Sequence, residues 1–276
     1  MSVLPEESGS PVRRVVAVIP ARMGSSRFPG KPLAPLLGRP MIEHVVRRAS
    51  MCELLDAVYV ATCDEEIRTA VEQFGGEVIM TSAAHERASD RVAEAAEKLE
   101  AEIVVMIQGD EPLVTPRMIA AAVAPLFEDA SVSCVNLARR IERREEYLDR
   151  NTIKVVSNVR GDALYFSRAP VPADAFAQDD DAAPHPPVFK QVCVIPFRRD
   201  FLREFARLPQ TPLERAESID MLRAIEHGRP VRLVEIEEET HAVDTTEDLR
   251  LVESLLKDDP LVSLYEEACV RRGRRV

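Results

Sequence analysis

Short apolar runs alternate with amphipathic segments through the first half of the chain. The apolar runs are typical of strands that are buried on both faces, and they predict strands at residues 15–20, 57–61, 77–80 and 103–107. The segments between these runs carry one apolar face, which predicts helices at residues 41–50, 65–74 and about 89–98. Strands that alternate with single helices predict an α/β fold with a mainly parallel, Rossmann-like sheet and helices on both of its faces.

The pattern is less regular in the second half of the chain. It predicts strands at residues 131–137, 152–159, 163–167, 190–197 and 231–236, and helices at 200–207, 216–227 and 246–257. A stretch rich in proline, aspartate and alanine at residues 170–187 predicts a mobile loop of the kind that often covers a site. We therefore expect a smaller insertion with antiparallel strands at about residues 132–197.

The length of 276 residues is enough for one large domain, and the pattern assigns residues 15–257 to it. Residues 1–14 contain acids, serine and proline without an apolar core, so we expect a disordered tail there and no signal peptide. Residues 258–276 form a C-terminal extension.

The chain is acidic, with 36 Lys and Arg against 47 Asp and Glu and a formal net charge of −11. This balance argues against nonspecific binding of nucleic acid or of an anionic membrane, although local cations can still bind an anionic small molecule. No apolar stretch approaches the roughly 20 residues of a membrane span. The five cysteines form no CxxC pair, which indicates a reducing, cytoplasmic compartment and no structural zinc.

The richest local signal is the loop at residues 20–33, which follows the first predicted strand. It offers three cations, two hydroxyls and two glycines, namely Arg22, Arg27, Lys31, Ser25, Ser26, Gly24 and Gly30. Open α/β sheets bind ligands at the carboxyl ends of their strands, and cations beside a flexible backbone suit a polyanion. The loop is not a Walker A motif, because five residues separate its glycines and Pro32 follows Lys31, and no GxGxxG is present. A solvated basic surface loop is the plain alternative.

A second signal, Gln108-Gly-Asp-Glu-Pro112, follows directly on the strand predicted at residues 103–107. This spacing places Asp110 at the carboxyl edge of the sheet, within reach of a phosphate held by the first loop. Carboxylate oxygens suit Mg²⁺, which usually binds one or two carboxylates together with phosphate oxygens and water. The alternative is that Asp110 only caps a turn.

The chain resembles the 3-deoxy-manno-octulosonate cytidylyltransferases (CMP-KDO synthetases) over roughly residues 15–256. The motifs that carry the resemblance, besides the two signals above, are Lys31-Pro-Leu, Arg39-Pro-Met-Ile-Glu-His-Val, Phe74-Gly-Gly-Glu-Val-Ile-Met-Thr81, Ala163-Leu-Tyr-Phe-Ser-Arg168 and Val243-Asp-Thr245. The resemblance implies a nucleotide-diphospho-sugar transferase type of fold and transfer of CMP from CTP with release of pyrophosphate. It implies catalytic roles for Arg22, Arg27 and Lys31, and nucleotide contacts for Arg22, Ser25, Ser26, Lys31 and Gln108.

The resemblance also assigns a Mg²⁺ ion to two carboxylates, Asp110 and Asp244. By local pattern Asp244 is ambiguous, because Asp244 and Glu247 precede an apolar helix with a spacing close to that of a capping box. An N-cap is therefore the alternative role for Asp244, and the residue could fill both roles. The match is less complete in the segment that the resemblance assigns to selection of cytosine, since Arg87-Ala-Ser89 stands where the family commonly has Ser-Gly-Thr.

The sequence departs further from the family at the site for the sugar acid. The strand Gln191-Val-Cys-Val-Ile-Pro-Phe-Arg198 stands for His-x-Gly-Ile-Tyr-x-Tyr-Arg, and Asp220-Met-Leu-Arg223 stands for Glu-Gln-Leu-Arg. The resemblance places the acceptor against Arg168, Gln191, Ile195, Asp220 and Met221. Isoleucine, phenylalanine and methionine cannot hydrogen-bond hydroxyls, so these replacements predict an acceptor that has fewer hydroxyls and is still anionic.

Together these features predict a magnesium-dependent cytidylyltransferase with a small phosphonate or carboxylate acceptor, phosphonoformate for example. An ordinary CMP-KDO synthetase is the alternative. A hydrolase or sugar-phosphate transferase on the same fold is a further alternative, and so is a nucleotide-sensing domain, which could lose Asp110 or Asp244 without harm. We expect a homodimer that pairs through residues 132–196.

Overall fold

The structure is a computed structural model that describes residues 14–24, 28–173, 175–176 and 187–265. Its strands form two five-stranded sheets and a short hairpin. The strands are β1 (Val15–Pro20), β2 (Pro35–Leu36), β3 (Arg39–Pro40), β4 (Ala57–Thr62), β5 (Glu77–Met80), β6 (Ile103–Ile107), β7 (Val135–Arg140), β8 (Lys154–Ser157), β9 (Ala163–Ser167), β10 (Phe189–Val192), β11 (Val194–Arg198) and β12 (Arg232–Ile236). The helices are α1 (Met41–Ala49), α2 (Glu65–Gln73), α3 (Ala88–Glu97), α4 (Pro116–Glu128), α5 (Arg144–Leu148), α6 (Arg199–Arg207), α7 (Pro212–Glu217), α8 (Met221–Glu226) and α9 (Thr246–Lys257).

The main sheet has the strand order β11-β6-β1-β4-β5. Its strands are parallel except β11, which runs antiparallel to β6. Every residue of β1 is buried, and its side chains alternate between two apolar clusters on opposite faces of the sheet. Helices α1 and α4 pack into one cluster, and α3 and α6 pack into the other. The predicted fold class is confirmed, because a parallel sheet needs helices on both faces to bury its strands.

The second sheet has the order β12-β7-β10-β8-β9 and is antiparallel except where β12 pairs with β7. It supplies the antiparallel part of the fold, but it does not coincide with the insertion predicted at residues 132–197. Strand β11 lies inside that range and joins the main sheet, whereas β12 lies outside it and joins the second sheet.

Several elements differ from the pattern-based predictions. The strand predicted at residues 190–197 is two strands, β10 and β11, which separate at Cys193 and belong to different sheets. The helix predicted at residues 216–227 is two short helices, because Ser218 adopts a left-handed conformation with φ of 57° between α7 and α8. Helix α4 was not predicted. Residues 1–13 of the predicted tail, and most of the predicted loop at 170–187, lie outside the described residues.

No helix in the described part of the chain is long and apolar enough to cross a membrane.

Candidate active site

A cleft opens at the carboxyl ends of β1 and β6, where the loops that follow these parallel strands meet. Five of the site residues predicted from the sequence line this cleft: Arg22, Lys31, Gln108, Asp110 and Asp244. This is the edge at which open α/β sheets bind their ligands. Ser25, Ser26 and Arg27 lie outside the described residues, so their predicted contacts with the nucleotide stay predictions.

The loop after β1 is shaped by backbone contacts that direct Lys31 into the cleft. Gly30 has a φ of 72°, a conformation that glycine adopts at little cost, and its N–H donates to the carbonyl of Met23 at 3.1 Å. The Met23 N–H in turn donates to the carboxylate of Asp64 at 2.8 Å. A 3-10 turn at Lys31–Leu33 follows directly, so the loop is closed at its base and Lys31 starts the turn.

Lys31 bridges the two predicted metal carboxylates. Its Nζ lies 2.5 Å from Asp110 Oδ2 and 3.3 Å from Asp244 Oδ1. Burial opposes the charge of Lys31, but the charges and hydrogen bonds of the two carboxylates outweigh burial, and the net result is a raised pKa. The cleft therefore holds one firmly protonated ammonium between two carboxylates that come from sequence positions 134 residues apart (244 − 110 = 134).

The position of Asp110 depends on the glycine before it. A side chain on Gly109 would place a Cβ 3.1 Å from the carbonyl oxygen of Pro20 and 3.2 Å from Ile42 Cδ1. The carbonyl of Asp110 also accepts a hydrogen bond from the N–H of Val243 at 2.9 Å. This contact joins the loop after β6 to the segment before α9, and it explains how Asp244 reaches the same cleft.

The capping alternative for Asp244 is wrong. The N-cap of α9 is Thr245, whose hydroxyl accepts from the N–H of Asp248, while the Asp248 carboxylate accepts from the N–H of Thr245. Asp248 also accepts the N–H of Asp244 itself at 3.0 Å. The capping box is thus shifted by one residue from the predicted pair, and the side chain of Asp244 points to Lys31 in the cleft.

Glu111 is buried directly behind Asp110. Burial, and then the charge of Asp110, raise the pKa of Glu111 to about 7. Its carboxyl lies 3.5 Å from the N–H of Cys193, at the break between β10 and β11. Glu111 therefore carries less than a full negative charge at neutral pH, and the anionic charge of the cleft comes mainly from Asp110 and Asp244.

The opposite wall contains residues that were not among the predicted site residues. His85, Glu86, Arg87 and Arg91 line the cleft from the segment that leads into α3. Arg91 is buried and donates to Thr81 Oγ1 at 2.5 Å. His85 Nε2 lies 2.5 Å from the carboxylate of Glu94, which also accepts the N–H of Ser82. The sequence analysis touched this wall only at residues 87–89, where the chain departs from the family pattern.

The donor set of the cleft fits Mg²⁺. Asp110 and Asp244 converge on a single cation, the ammonium of Lys31, which shows that their oxygens can share a positive charge. Among the described residues no group of three or more His, Cys, Asp and Glu side chains is arranged to hold a metal ion. Two carboxylates are nevertheless a usual protein contribution to a Mg²⁺ site, because phosphate and water oxygens complete it.

The five predicted acceptor residues are not among the described residues that line the cleft. Arg168 is fixed by Glu217, which accepts its backbone N–H at 2.8 Å and whose carbonyl accepts Arg168 Nε at 2.8 Å. Gln191 donates to Asn136 Oδ1 at 2.6 Å within the second sheet. Asp220 accepts from the hydroxyl of Ser89 at 2.7 Å.

Ile195 and Met221 lie in the core of the protein. They are 2% and 1% exposed and belong to the same core cluster as Phe197, between the main sheet and α8. An apolar side chain in these positions is explained by core packing. The prediction that both residues contact the acceptor stays a prediction. Because core packing is enough to explain their apolar side chains, they give no reason to expect a less hydroxylated acceptor.

Comparison with known proteins decides the family. Residues 16–249 match the family model described as cytidylyltransferase. A relative from Syntrophotalea carbinolica, a 3-deoxy-manno-octulosonate cytidylyltransferase, is 47% identical over 246 residues, which cover 88% of this chain and 98% of the relative. The chain belongs to this cytidylyltransferase family. A family member of the same name from Geobacter metallireducens is 46% identical over 248 residues, again with 88% of this chain and 98% of the relative covered.

Solved structures agree with the family membership. A structure of CMP:2-keto-3-deoxy-manno-octonic acid synthetase complexed with CTP has a TM-score of 0.80 and 39% identity, over 88% of this chain and 98% of that chain. A cytidylyltransferase from Leptospira borgpetersenii has a TM-score of 0.60 at 18% identity, over 95% of this chain and 96% of that one. At that identity the second likeness concerns the fold alone, which the family shares with more distant nucleotidyltransferases.

Proposed function

We propose that this cytidylyltransferase transfers CMP from CTP to 3-deoxy-manno-octulosonate and releases pyrophosphate. The observation that carries the proposal is the cleft in which Lys31 meets Asp110 and Asp244, in a chain 46–47% identical to proteins named for that reaction. A cleft at the carboxyl edge of the sheet that is lined by Arg22, Lys31, Arg87 and Arg91 suits a nucleotide triphosphate. Because Asp110 and Asp244 are both in the cleft, a purely nucleotide-sensing domain is the weaker alternative.

The proposed reaction is an in-line displacement at the α-phosphorus of CTP. An acceptor hydroxyl oxygen forms a bond to this phosphorus, the bond to the bridging oxygen of the β-phosphate breaks, and the hydroxyl proton leaves to solvent. Arg22 and Lys31 lie where they can neutralise charge on the triphosphate, with Arg27 predicted to assist them. Catalysis of this kind depends on positioning and on electrostatic stabilisation, so it needs no covalent enzyme intermediate.

We include Mg²⁺ in the proposal, held by Asp110 and Asp244. When bound, the ion supplies positive charge to phosphoryl oxygens and orients the triphosphate. With the ion held by Asp110 and Asp244, the Lys31 ammonium beside them would pair with a phosphate oxygen of the triphosphate.

A phosphonate such as phosphonoformate is not the acceptor that the findings favour. Its prediction depended on Ile195, Phe197 and Met221, which are core residues. The relatives that cover this chain along almost their whole length are named for 3-deoxy-manno-octulosonate. The sugar acid is therefore the acceptor that we propose.

The test is a direct competition. Equal concentrations of 3-deoxy-manno-octulosonate and phosphonoformate are offered with CTP and Mg²⁺, and the nucleotide products are separated and quantified. We expect the CMP-sugar acid to dominate, and pyrophosphate release to stop when EDTA is added. Dominance of the phosphonate product would overturn the acceptor assignment, and turnover that survives EDTA would overturn the metal assignment.

A homodimer that pairs through the second sheet, and a cytoplasmic location, complete the proposal. Leu164, on the edge strand β9, is 55% exposed, which suits a surface that a partner covers. Sedimentation of the wild type and of Leu164→Glu tests the dimer, and a wild-type monomer at micromolar concentration would contradict it.

A further inference from the structure

One peptide unit that follows Lys31 is held through both of its polar groups. It joins Leu36 to Leu37, at the turn between β2 and β3. The Leu37 N–H donates to Glu253 Oε1 of α9 at 3.1 Å, and the Leu36 carbonyl accepts from His44 Nε2 of α1 at 2.9 Å. Leu37 has a φ of 46°, a conformation that is unfavourable for any residue except glycine and persists only where the surroundings hold it. The turn therefore depends on these two contacts.

The imidazole that holds Leu36 is itself held by a tyrosine from the C-terminal part of the chain. His44 is fully buried, and burial lowers its pKa, so the ring is neutral at pH 7. A carbonyl oxygen can only accept a hydrogen bond, so Nε2 of His44 carries the ring proton and Nδ1 is an acceptor. The Tyr265 hydroxyl lies 2.7 Å from Nδ1 and is therefore the donor. This bond favours the tautomer of His44 that binds Leu36.

The segment that contains the turn lines the cleft at both of its ends. Lys31 and Pro32 line the cleft before the turn, and Met41 lines it after the turn. Between them, the Ala34 N–H donates to the Lys31 carbonyl at 3.1 Å, and the Ala34 carbonyl accepts the N–H of Met41 at 2.9 Å. Residues 31–41 are thus one closed unit. A contact that fixes the turn also fixes the backbone from which the Lys31 side chain reaches the cleft.

Tyr265 lies outside the part of the chain that matches the family model, which ends at residue 249. It is 4% exposed and packs in the apolar cluster that contains Leu36. Its ring also meets the imidazole of His44 edge to face, with 5.8 Å between the ring centroids. A residue beyond the family match therefore takes part in a contact of the motif at residues 39–45, which is one of those that carry the family resemblance.

We propose that Tyr265 is a positioning residue for the nucleotide side of the cleft, acting through His44 on the turn that follows Lys31. The inference rests on the proposed function in taking CTP as the nucleotide. Without the hydroxyl, the buried Nδ1 of His44 loses this donor, and the imidazole is free to change tautomer and release Leu36. The turn then keeps one of its two contacts, the Lys31 backbone is held less firmly, and CTP binding weakens.

The first experiment measures CTP binding by calorimetry, with Mg²⁺ and with no acceptor. For Tyr265→Phe we expect about fivefold weaker binding, the size expected when one neutral hydrogen bond is lost. The matched control is Tyr147→Phe, which removes the hydroxyl of another buried tyrosine whose partner is the carbonyl of Pro172. Tyr147 is not among the described residues that line the cleft, so we expect this control to bind CTP like the wild type.

A second control separates positioning from stability. Asp259→Asn removes the partner of Arg48 and so weakens the attachment of the C-terminal part of the chain, but it keeps the Tyr265 hydroxyl. We expect a lower melting temperature for Asp259→Asn, with CTP binding within about twofold of wild type. If Tyr265 acted only through stability, the two variants would lose affinity for CTP in proportion to their loss of stability.

The second experiment observes His44 directly by ¹⁵N NMR of the imidazole nitrogens at neutral pH, with the signals assigned by their absence in His44→Gln. In the wild type we expect a proton on Nε2 and a hydrogen-bonded, unprotonated Nδ1. In Tyr265→Phe the Nδ1 signal should move to that of a nitrogen without a hydrogen bond, or the two tautomers should mix, and Asp259→Asn should show neither change. The wild-type spectrum tests the inference even if Tyr265→Phe does not fold.

The outcomes separate this inference from the proposed function. If the wild type binds CTP and Tyr265→Phe binds it equally well, the inference is overturned while the proposed function stands. Equal weakening in Tyr147→Phe or in Asp259→Asn would show a general effect and would overturn the inference as well. A wild-type His44 with its proton on Nδ1 would also overturn it. A wild-type protein that does not bind CTP would overturn the proposed function itself.

Discussion

At the scale of single residues, the cleft is defined by an ammonium placed between two carboxylates. Asp110 and Asp244 keep about a quarter of their side-chain surface exposed, at 26% and 24%, and neither belongs to a core cluster. Lys31 is the more buried partner, at 13%. The three charged side chains are therefore partly accessible and contribute little to packing, so we expect their effect on activity to be separable from their effect on stability.

We expect Asp110→Asn and Asp244→Asn to lower kcat by orders of magnitude, because a neutral amide would bind the proposed Mg²⁺ ion more weakly than a carboxylate does. The free energy of unfolding should stay within about 1–2 kcal/mol of wild type, since the substitutions conserve shape outside the core. Pyrophosphate release and urea unfolding are measured on the same preparations, with Asp162→Asn, which removes a carboxylate paired with Arg232, as the control. A variant that loses stability but keeps its specific activity would contradict this prediction.

The placement of Arg22, Gln108 and Asp110 at one edge of the sheet could be predicted, because these residues follow strands whose ends the sequence makes plain. Strand β1 is apolar throughout, so the loop after it had to lie at the sheet edge. The core positions of Ile195 and Met221 could not be predicted in the same way. Ile195 faces the core because β11 turns into the main sheet at Cys193, and no local pattern of β10 and β11 signals that change of sheet.

At the scale of elements, the start of α9 places Asp244. Asp248 accepts the Thr245 hydroxyl at 2.9 Å and lies 2.8 Å from His241 Nε2, besides accepting the N–H groups of Asp244 and Thr245. We expect Asp248→Ala to cost about 1–2 kcal/mol of stability, the usual size of a lost helix cap. It should also lower kcat, because the segment that carries Asp244 loses its anchor. Thermal unfolding and turnover are the measurements, and Glu247→Ala, an exposed neighbour in the same turn, is the control.

The same carboxylate makes the stability depend on pH. Burial alone would raise the pKa of Asp248, but the hydrogen bonds from His241, Thr245 and the backbone outweigh burial and lower it below 3.8. A carboxyl with a lowered pKa in the folded state contributes stability above its unfolded pKa and loses it as the pH falls through the folded pKa. The difference in unfolding free energy between wild type and Asp248→Asn should therefore shrink as the pH falls below about 4. A difference that grows on acidification would contradict this assignment.

Helix α4 shows why one element escaped prediction. Its sequence is apolar almost all round and contains Pro125, so neither a polar face nor an uninterrupted turn pattern marks it as a helix. The structure gives the reason, because α4 packs against strands of both sheets and against α1. A helix that is covered on several sides needs no polar face. Helices α1, α2 and α3 each cover one face of a sheet, so they have one apolar face and could be predicted from it.

At the scale of the whole molecule, the C-terminal segment packs against the two loops that carry Lys31 and Asp244. Residues 260–265 are helical, and Val262 and Tyr265 share an apolar cluster with Leu36 and Val243. Leu36 follows the loop at residues 20–33, and Val243 precedes Asp244. The part of the predicted extension up to residue 265 is therefore packed against the domain, and it joins the two loops that carry Lys31 and Asp244.

An ion pair fastens this segment to α1. Arg48 is 1% exposed, its Nη1 contacts Asp259 Oδ2 at 2.7 Å, and its other donors reach the carbonyls of Leu113 and Val114. We expect Asp259→Asn to destabilise the protein by about 1–3 kcal/mol, because a buried guanidinium loses its only charged partner among the described residues while its carbonyl contacts remain. Turnover well below the melting temperature should be unchanged, since Asp259 does not line the cleft.

Asp258→Asn provides the matched comparison, because Asp258 is the exposed neighbour at the end of α9. Thermal unfolding of the two variants should differ, with a lower melting temperature for Asp259→Asn alone. If both variants melt like the wild type, the contact between Arg48 and Asp259 does not hold the segment, and the apolar cluster around Tyr265 must do so by itself. In that case Tyr265→Ala, which also removes the hydroxyl that lies 2.7 Å from His44 Nδ1, should produce the loss of stability that Asp259→Asn did not.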